Sequence, residues 1–127
     1  MKNPSELVAC DLEASEVDLL AHGLGEWGGP ARCTDPLARA MGFVDVDDFL
    51  AERARIRTSL SVGSPLSRWD WTRALLATEV AFASDVVGSG VEWPTTTGMD
   101  DDATIKVLRN LQRKLGPIRV SPEQPSS

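Results

Sequence analysis

The sequence predicts an all-α fold, a single-domain bundle of about five helices around a central apolar helix at residues 67–87. Apolar side chains recur at helical spacing in segments that begin with a capping residue, and glycine or proline separates these segments. No segment alternates apolar and polar residues for long enough to predict a strand. With 42% hydrophobic and 25% charged residues among 127, one domain with its own core is expected over residues 1–120. Residues 121–127 hold two prolines and three serines, which predicts a disordered tail.

The first predicted helix covers residues 15–22. Ser15 and Asp18 form an S-x-x-D cap at its start, and Gly23 is expected to end it in the left-handed conformation. Residues 23–30 follow with four glycines and a proline, a composition that opposes any regular element. We therefore expect a loop there.

Two further helices follow that loop. The second is short, with Thr34 or Asp35 as its N-cap and Gly42 at its end. The third begins at Asp45, which has the short acceptor side chain that helix N-caps prefer.

The central helix is apolar nearly all round, so it belongs in the middle of the bundle, and Ser67 and Asp70 form its cap. Arg73, Glu79 and Asp85 nevertheless lie on it, scattered around the helix. Because a buried charge is costly without a partner, we expect an arginine–carboxylate pair, and Glu79→Ala should then cost ~3–5 kcal/mol. The other interpretation is a carboxylate that lines a pocket and has a perturbed pKa.

The fifth helix opens near Thr97 or Asp100 and ends at Leu115, with acidic residues first and basic residues last, as the helix dipole favours. Residues 103–120 carry five basic side chains and no acidic one, a pattern that could contact nucleic acid. The pI of about 4.7 and the lack of a helix-turn-helix signature argue against that function.

Charge is distributed unevenly along the chain. Residues 1–52 carry three basic and eleven acidic side chains (−8), residues 53–127 carry ten basic and eight acidic (+2), and the sum is the net charge of −6. An acidic surface repels phosphate backbones and can attract a basic protein, although it also serves simply to keep a protein in solution.

The only histidine, His22, opens the glycine-rich stretch from His22 to Pro30 and lies four residues before Glu26. A histidine–glutamate pair can act as a general base with its orienting group. The catalytic candidates are therefore His22 and Glu26, together with Glu79 and Asp85 on the central helix. No motif marks a nucleophile. No metal or cofactor is expected, because Cys10 and Cys33 form no CxxC and no aspartate run has the spacing of a calcium loop.

Tryptophan supplies four of the seven aromatic residues, and such side chains anchor cores and interfaces alike. Trp27, Trp69 and Trp93 are candidate binding residues, together with Arg73. Trp69 and Trp71 point about 200° apart on a helix and cannot both face the same neighbour.

These observations favour a small acidic helical protein-interaction or regulatory module, of which an inhibitor or immunity-type binder of a basic partner protein is a specific case. The alternative is a small helical enzyme or ligand-binding protein with a pocket around helix 67–87 that uses Glu79 or Asp85 and His22. A DNA-binding regulator comes third. We expect a protein partner or self-association, with no nucleic acid and, because no apolar run approaches ~18 residues, no membrane. The first residues lack a signal-peptide pattern, which predicts a cytoplasmic protein.

Overall fold

The computed structural model describes residues 2–28, 32–84 and 100–120, and 67% of it is helical. The helices of these residues are α1 (Ala14–Gly25), α2 (Asp35–Ala40), α3 (Val46–Ser61), α4 (Arg68–Ala83) and α5 (Asp101–Leu115). A single 3-10 turn, Glu26–Gly28, follows α1, and two short strands, β1 (Leu7–Val8) and β2 (Leu66–Ser67), pair antiparallel. The predicted all-α bundle is therefore confirmed, while the predicted tail at residues 121–127 lies outside the described residues.

Helix α1 begins earlier and ends later than predicted. Its N-cap is Glu13, whose backbone N–H donates to the Glu16 side chain at 2.8 Å. Gly23 does not end the helix, because α1 continues through Gly25 and into the 3-10 turn. A Cβ on Gly23 would lie 2.4 Å from the Thr78 hydroxyl oxygen, so this glycine permits close packing of α1 on α4. The loop prediction for residues 23–28 is therefore wrong.

The predicted starts of α2, α3 and α5 are confirmed. Thr34, Asp45 and Asp100 are their N-caps, and each side chain accepts a hydrogen bond from the backbone N–H three residues on, at 3.3, 2.8 and 2.7 Å. These bonds satisfy N–H groups that have no partner within the helix. Gly42 follows α2 with a φ of 98°, a left-handed conformation that glycine adopts without strain.

Helix α4 packs against α1, α3 and α5, as its apolar wheel predicts. Its buried hydrophobic residues are Trp71, Ala74, Leu75, Ala77 and Ala81. Leu76 and Phe82 are half-buried against this core. The helix ends at Ala83, because Ser84 has extended backbone, so the predicted end at residue 87 is four residues too late. Residues 85–87 lie outside the described residues.

The segment before α1 completes the start of α4. The backbone N–H groups of Arg68 and Trp69 donate to the carbonyl oxygens of Glu6 and Pro4, at 2.9 and 3.0 Å. The Trp71 indole N–H donates to the carbonyl of Val8 at 2.8 Å. The first turn of a helix has unpaired N–H groups, and the N-terminal segment supplies acceptors for two of them. The strands in this region are two residues long, too short for an alternation pattern to reveal them.

No helix within the described part of the chain is long and apolar enough to cross a membrane.

Candidate functional site

The arginine predicted to need a carboxylate partner is buried in a polar network. Arg73 lies on α4 and is 6% exposed. Its Nη2 donates to Asp70 Oδ1 at 2.7 Å and to Glu52 Oε1 at 3.3 Å, and its Nη1 donates to the carbonyl of Gly42 at 3.3 Å. An arginine–carboxylate pair therefore forms, and its acid is Asp70.

Arg55 on α3 extends this network. It donates to Glu52 at 2.9 and 3.0 Å and to Asp70 Oδ1 at 2.9 Å. Burial raises the pKa of Asp70, but hydrogen bonds from Arg55 and Arg73 outweigh it and the resulting pKa is below its ordinary value. The hydrogen bond from Arg55 likewise lowers the pKa of Glu52. Both carboxylates are therefore ionised at neutral pH, and the network ties α3 to α4.

The same arginine holds the turn between α2 and α3 against α4. The Arg73 guanidinium lies 4.4 Å from the ring centre of Phe43 and 5.6 Å from that of Trp69, within cation–π range. A Cβ on Gly42 would lie 2.6 Å from Trp69 Cζ2, so only glycine lets the turn approach the indole this closely. The predicted binding residues Trp69 and Arg73 thus pack against this turn from α4.

The exposed surface of this turn is acidic. We define the acidic turn as four aspartates and a valine: Val44, Asp45, Asp47 and Asp48 at the start of α3, and Asp35, the first residue of α2, whose side chain binds the backbone there. Residues 35–48 have a net charge of −3, from four aspartates and one arginine. None of these aspartates takes part in an ion pair within the described residues.

Backbone hydrogen bonds hold the acidic turn in one conformation. Asp35 Oδ1 accepts from the N–H of Val46 at 3.1 Å, and Asp48 Oδ2 accepts from the N–H of Val44 at 2.9 Å. Asp45 caps α3 through the N–H of Asp48. The Val44 side chain is 71% exposed. An exposed apolar side chain therefore lies beside carboxylates whose positions are set by the backbone.

Trp27, another predicted binding residue, lies in the core. Its indole N–H donates to the carbonyl of Ala77 at 3.1 Å, and its ring meets Phe49 edge to face at 5.3 Å. It anchors the end of α1 on α4 and is 5% exposed. Trp93, the remaining tryptophan of the predicted set, lies outside the described residues.

The catalytic candidates do not meet in a described hollow. His22 is half-buried on α1, and Glu26 is buried in the 3-10 turn. Glu79 is half-buried on α4 and accepts a hydrogen bond from Gln112 Nε2 at 2.6 Å. The hollow beside Glu79 has a volume of about 60 Å³, and His22 is not among the residues that line it. Asp85 lies outside the described residues.

Sequence reasoning missed two features of this architecture. The capping pattern at Ser67 accounts for Asp70 only as a first-turn acid, although its spacing of three from Arg73 is that of helical ion pairs. Glu16, 1% exposed, binds Lys114 Nζ at 2.6 Å and so joins α1 to α5. That pair spans 98 positions in the chain, and no local pattern indicates it.

Within the described ranges, no group of three or more histidine, cysteine, aspartate or glutamate side chains is arranged to hold a metal ion. Comparison with protein-family models, curated proteins and solved structures gives no match to this chain. The geometry of the molecule itself therefore carries the functional argument.

Proposed function

We propose that this protein is a small interaction or regulatory module that binds a basic surface of another protein through the acidic turn. The observation that carries the proposal is the exposed side chain of Val44 beside four aspartates that form no ion pair within the described residues. Protein interfaces combine apolar contacts at the centre with a polar rim, and a valine flanked by carboxylates presents that arrangement on a small scale.

The rigidity of the acidic turn supports the same function. Its backbone is held by the Asp35 and Asp48 side chains, and Gly42 lies against Trp69 and Arg73 below it. A surface that is already ordered loses less conformational entropy when a partner binds. The buried ion-pair network therefore contributes to binding in this proposal, because it holds the acidic turn in position.

Charge indicates the kind of partner. The acidic residues of the turn and the net charge of −6 attract a surface rich in lysine and arginine and accelerate association with it. Two copies of the acidic turn would repel each other, which disfavours self-association through this surface. An inhibitor or immunity-type protein that masks a basic partner is the specific case we favour.

A cytoplasmic location accords with the thiols. Cys10 and Cys33 are both free cysteines, as is usual for proteins in a reducing compartment. The alternative function, an enzyme or ligand-binding protein built on helix 67–87, would need His22 to meet Glu79 or Asp85, and no described hollow brings His22 to Glu79.

The test begins with capture of partners from a lysate of the source organism, followed by calorimetry with the purified partner. Val44→Gln and Asp47→Lys should each weaken binding about tenfold, which corresponds to ~1.4 kcal/mol. Val62→Gln is the matched control, because Val62 is 70% exposed at the other end of α3 and should leave affinity unchanged.

The ionic strength of the buffer provides a second readout. Affinity for a basic partner should fall as salt rises, because exposed charges are screened beyond about 10 Å at 0.1 M. A partner that binds wild type and both acidic-turn variants equally, or one with an acidic contact surface, contradicts the proposal.

A further inference from the structure

A second surface, which extends from the middle of α3 to its C-terminal end, has the opposite charge. We define the arginine groove by the residues that line it between α1 and α3: Ala21, Arg53, Ala54, Arg57, Thr58 and Ser61. Its volume is about 360 Å³. Small-molecule sites in proteins occupy roughly 300–1,000 Å³, so the groove has room for a small ligand.

The groove exists because small residues of α1 face two arginines of α3. Arg53 and Arg57 are four apart on α3, which places them on one face of the helix. Ala21 and Gly25 are four apart on α1. A Cβ on Gly25 would lie 3.2 Å from the Arg57 guanidinium carbon, so the missing side chain leaves room for that guanidinium beside α1.

The positive charges in the groove are not balanced. Neither Arg53 nor Arg57 forms an ion pair with a carboxylate in the described part of the chain. Arg53 Nε is buried without a hydrogen-bond acceptor, and its Nη1 makes one long contact of 3.4 Å to the carbonyl of Leu24. Burial and the neighbouring charge of Arg57 lower the pKa of Arg53.

Two arginines without a carboxylate partner lower the stability of the protein unless an anion binds between them. Like charges four apart on a helix repel, and although Arg53 is only half-buried and Arg57 is exposed, the buried Nε–H of Arg53 is a donor without an acceptor, which is unfavourable. The hydroxyls of Thr58 and Ser61 already donate to backbone carbonyls, at 3.0 and 2.8 Å. The guanidinium groups are therefore the donors that a ligand would use.

We infer that the arginine groove binds a phosphate group, either as inorganic phosphate or as the monoester of a small molecule. Phosphate carries about −1.5 to −2 charges at pH 7 and so matches two arginines, whereas one carboxylate would leave a positive charge uncompensated. The planar guanidinium donates two parallel hydrogen bonds to phosphate oxygens. This site is separate from the acidic turn, which lies at the other end of α3.

The primary test is a titration with inorganic phosphate at pH 7, followed by amide and arginine Nε–Hε chemical shifts. Sodium chloride keeps the ionic strength constant. Saturable shifts should appear at Ala21, Gly25 and residues 53–61. Arg53→Gln and Arg57→Gln should each weaken binding about tenfold, as expected for loss of a charge-assisted hydrogen bond. Arg109→Gln removes the same charge from the exposed face of α5 and should leave binding unchanged.

Ala21→Glu provides a variant with the opposite expectation for stability. A carboxylate introduced into the groove should pair with the arginines, raise the melting temperature and abolish phosphate binding. A repeat of the titration with glycerol 3-phosphate distinguishes the sources, because tighter binding than that of inorganic phosphate identifies a monoester. Shifts that chloride reproduces at equal ionic strength, or phosphate binding that survives both Arg53→Gln and Arg57→Gln, overturn the inference.

Discussion

Replacement of Asp70 by asparagine tests the buried network that supports the acidic turn. The substitution preserves shape and removes the charge that pairs with Arg73 at 2.7 Å and with Arg55 at 2.9 Å. Arg73 is 6% exposed, and its remaining acceptors, Glu52 and the carbonyl of Gly42, are both 3.3 Å away. Loss of one member of a buried pair costs ~3–5 kcal/mol, and because Glu52 remains we expect the lower end, about 3 kcal/mol.

The assay is urea unfolding at pH 7, with the midpoint and slope recorded for each variant. Asp102→Asn is the matched control, because Asp102 also lies in the first turn of a helix but is exposed and forms no ion pair within the described residues. It should cost about 0.3–1 kcal/mol through the helix dipole alone. The double variant Asp70→Asn/Arg73→Met should be more stable than Asp70→Asn, since it removes the stranded charge.

The same network predicts how stability depends on pH. The folded-state pKa of Asp70 lies below its ordinary value of 3.8, so its contribution is fully present above that value. The contribution is lost as the pH falls through the lower, folded-state pKa. The stability difference between wild type and Asp70→Asn should therefore be greatest at neutral pH and shrink below about pH 4. Equal costs for Asp70→Asn and Asp102→Asn at pH 7 would refute the reasoning.

Three further substitutions test the packing around α4, each by urea unfolding. Gly42→Ala should cost at least about 1 kcal/mol more than the control Gly63→Ala. Both glycines have positive φ, but only a Cβ on Gly42 would meet another side chain, because the space around Gly63 is open. An equal cost for the two substitutions would contradict the close contact at Gly42. Gly23→Ala should destabilise the protein by about 1–3 kcal/mol, because the added Cβ meets Thr78. In an ordinary helix interior, replacement of glycine by alanine stabilises by ~0.5–1 kcal/mol. A variant more stable than wild type would therefore show that α1 and α4 are less close. Glu79→Ala should cost about 0.5–1.5 kcal/mol, as for the loss of one half-buried hydrogen bond. A cost of ~3 kcal/mol or more would instead support the buried ion pair that the sequence predicts for Glu79.

The starts of α2, α3, α4 and α5 could be predicted because their chemistry is local. The cap at Asp45 joins a side chain to the N–H only three residues away, and Thr34 and Asp100 act in the same way. All the atoms involved are neighbours in the chain, so the residue types and their spacing suffice. The apolar wheel of α4 predicted its central place for a similar reason, since its periodicity depends on one helix alone.

The end of α1 and the partners of charges depended on the tertiary structure. Gly23 resembles a helix stop in the sequence, yet Thr78, 55 positions later, makes it a contact between helices. Asp70 serves as more than a first-turn acid because Arg55, on another helix, reaches it. The cost of burying a charge depends on which donors and acceptors the fold brings within about 3 Å. Local patterns in the sequence suffice to locate the starts of α2, α3, α4 and α5 and to predict a bundle, whereas the packing of the helices decides which charges are paired and which surfaces stay exposed.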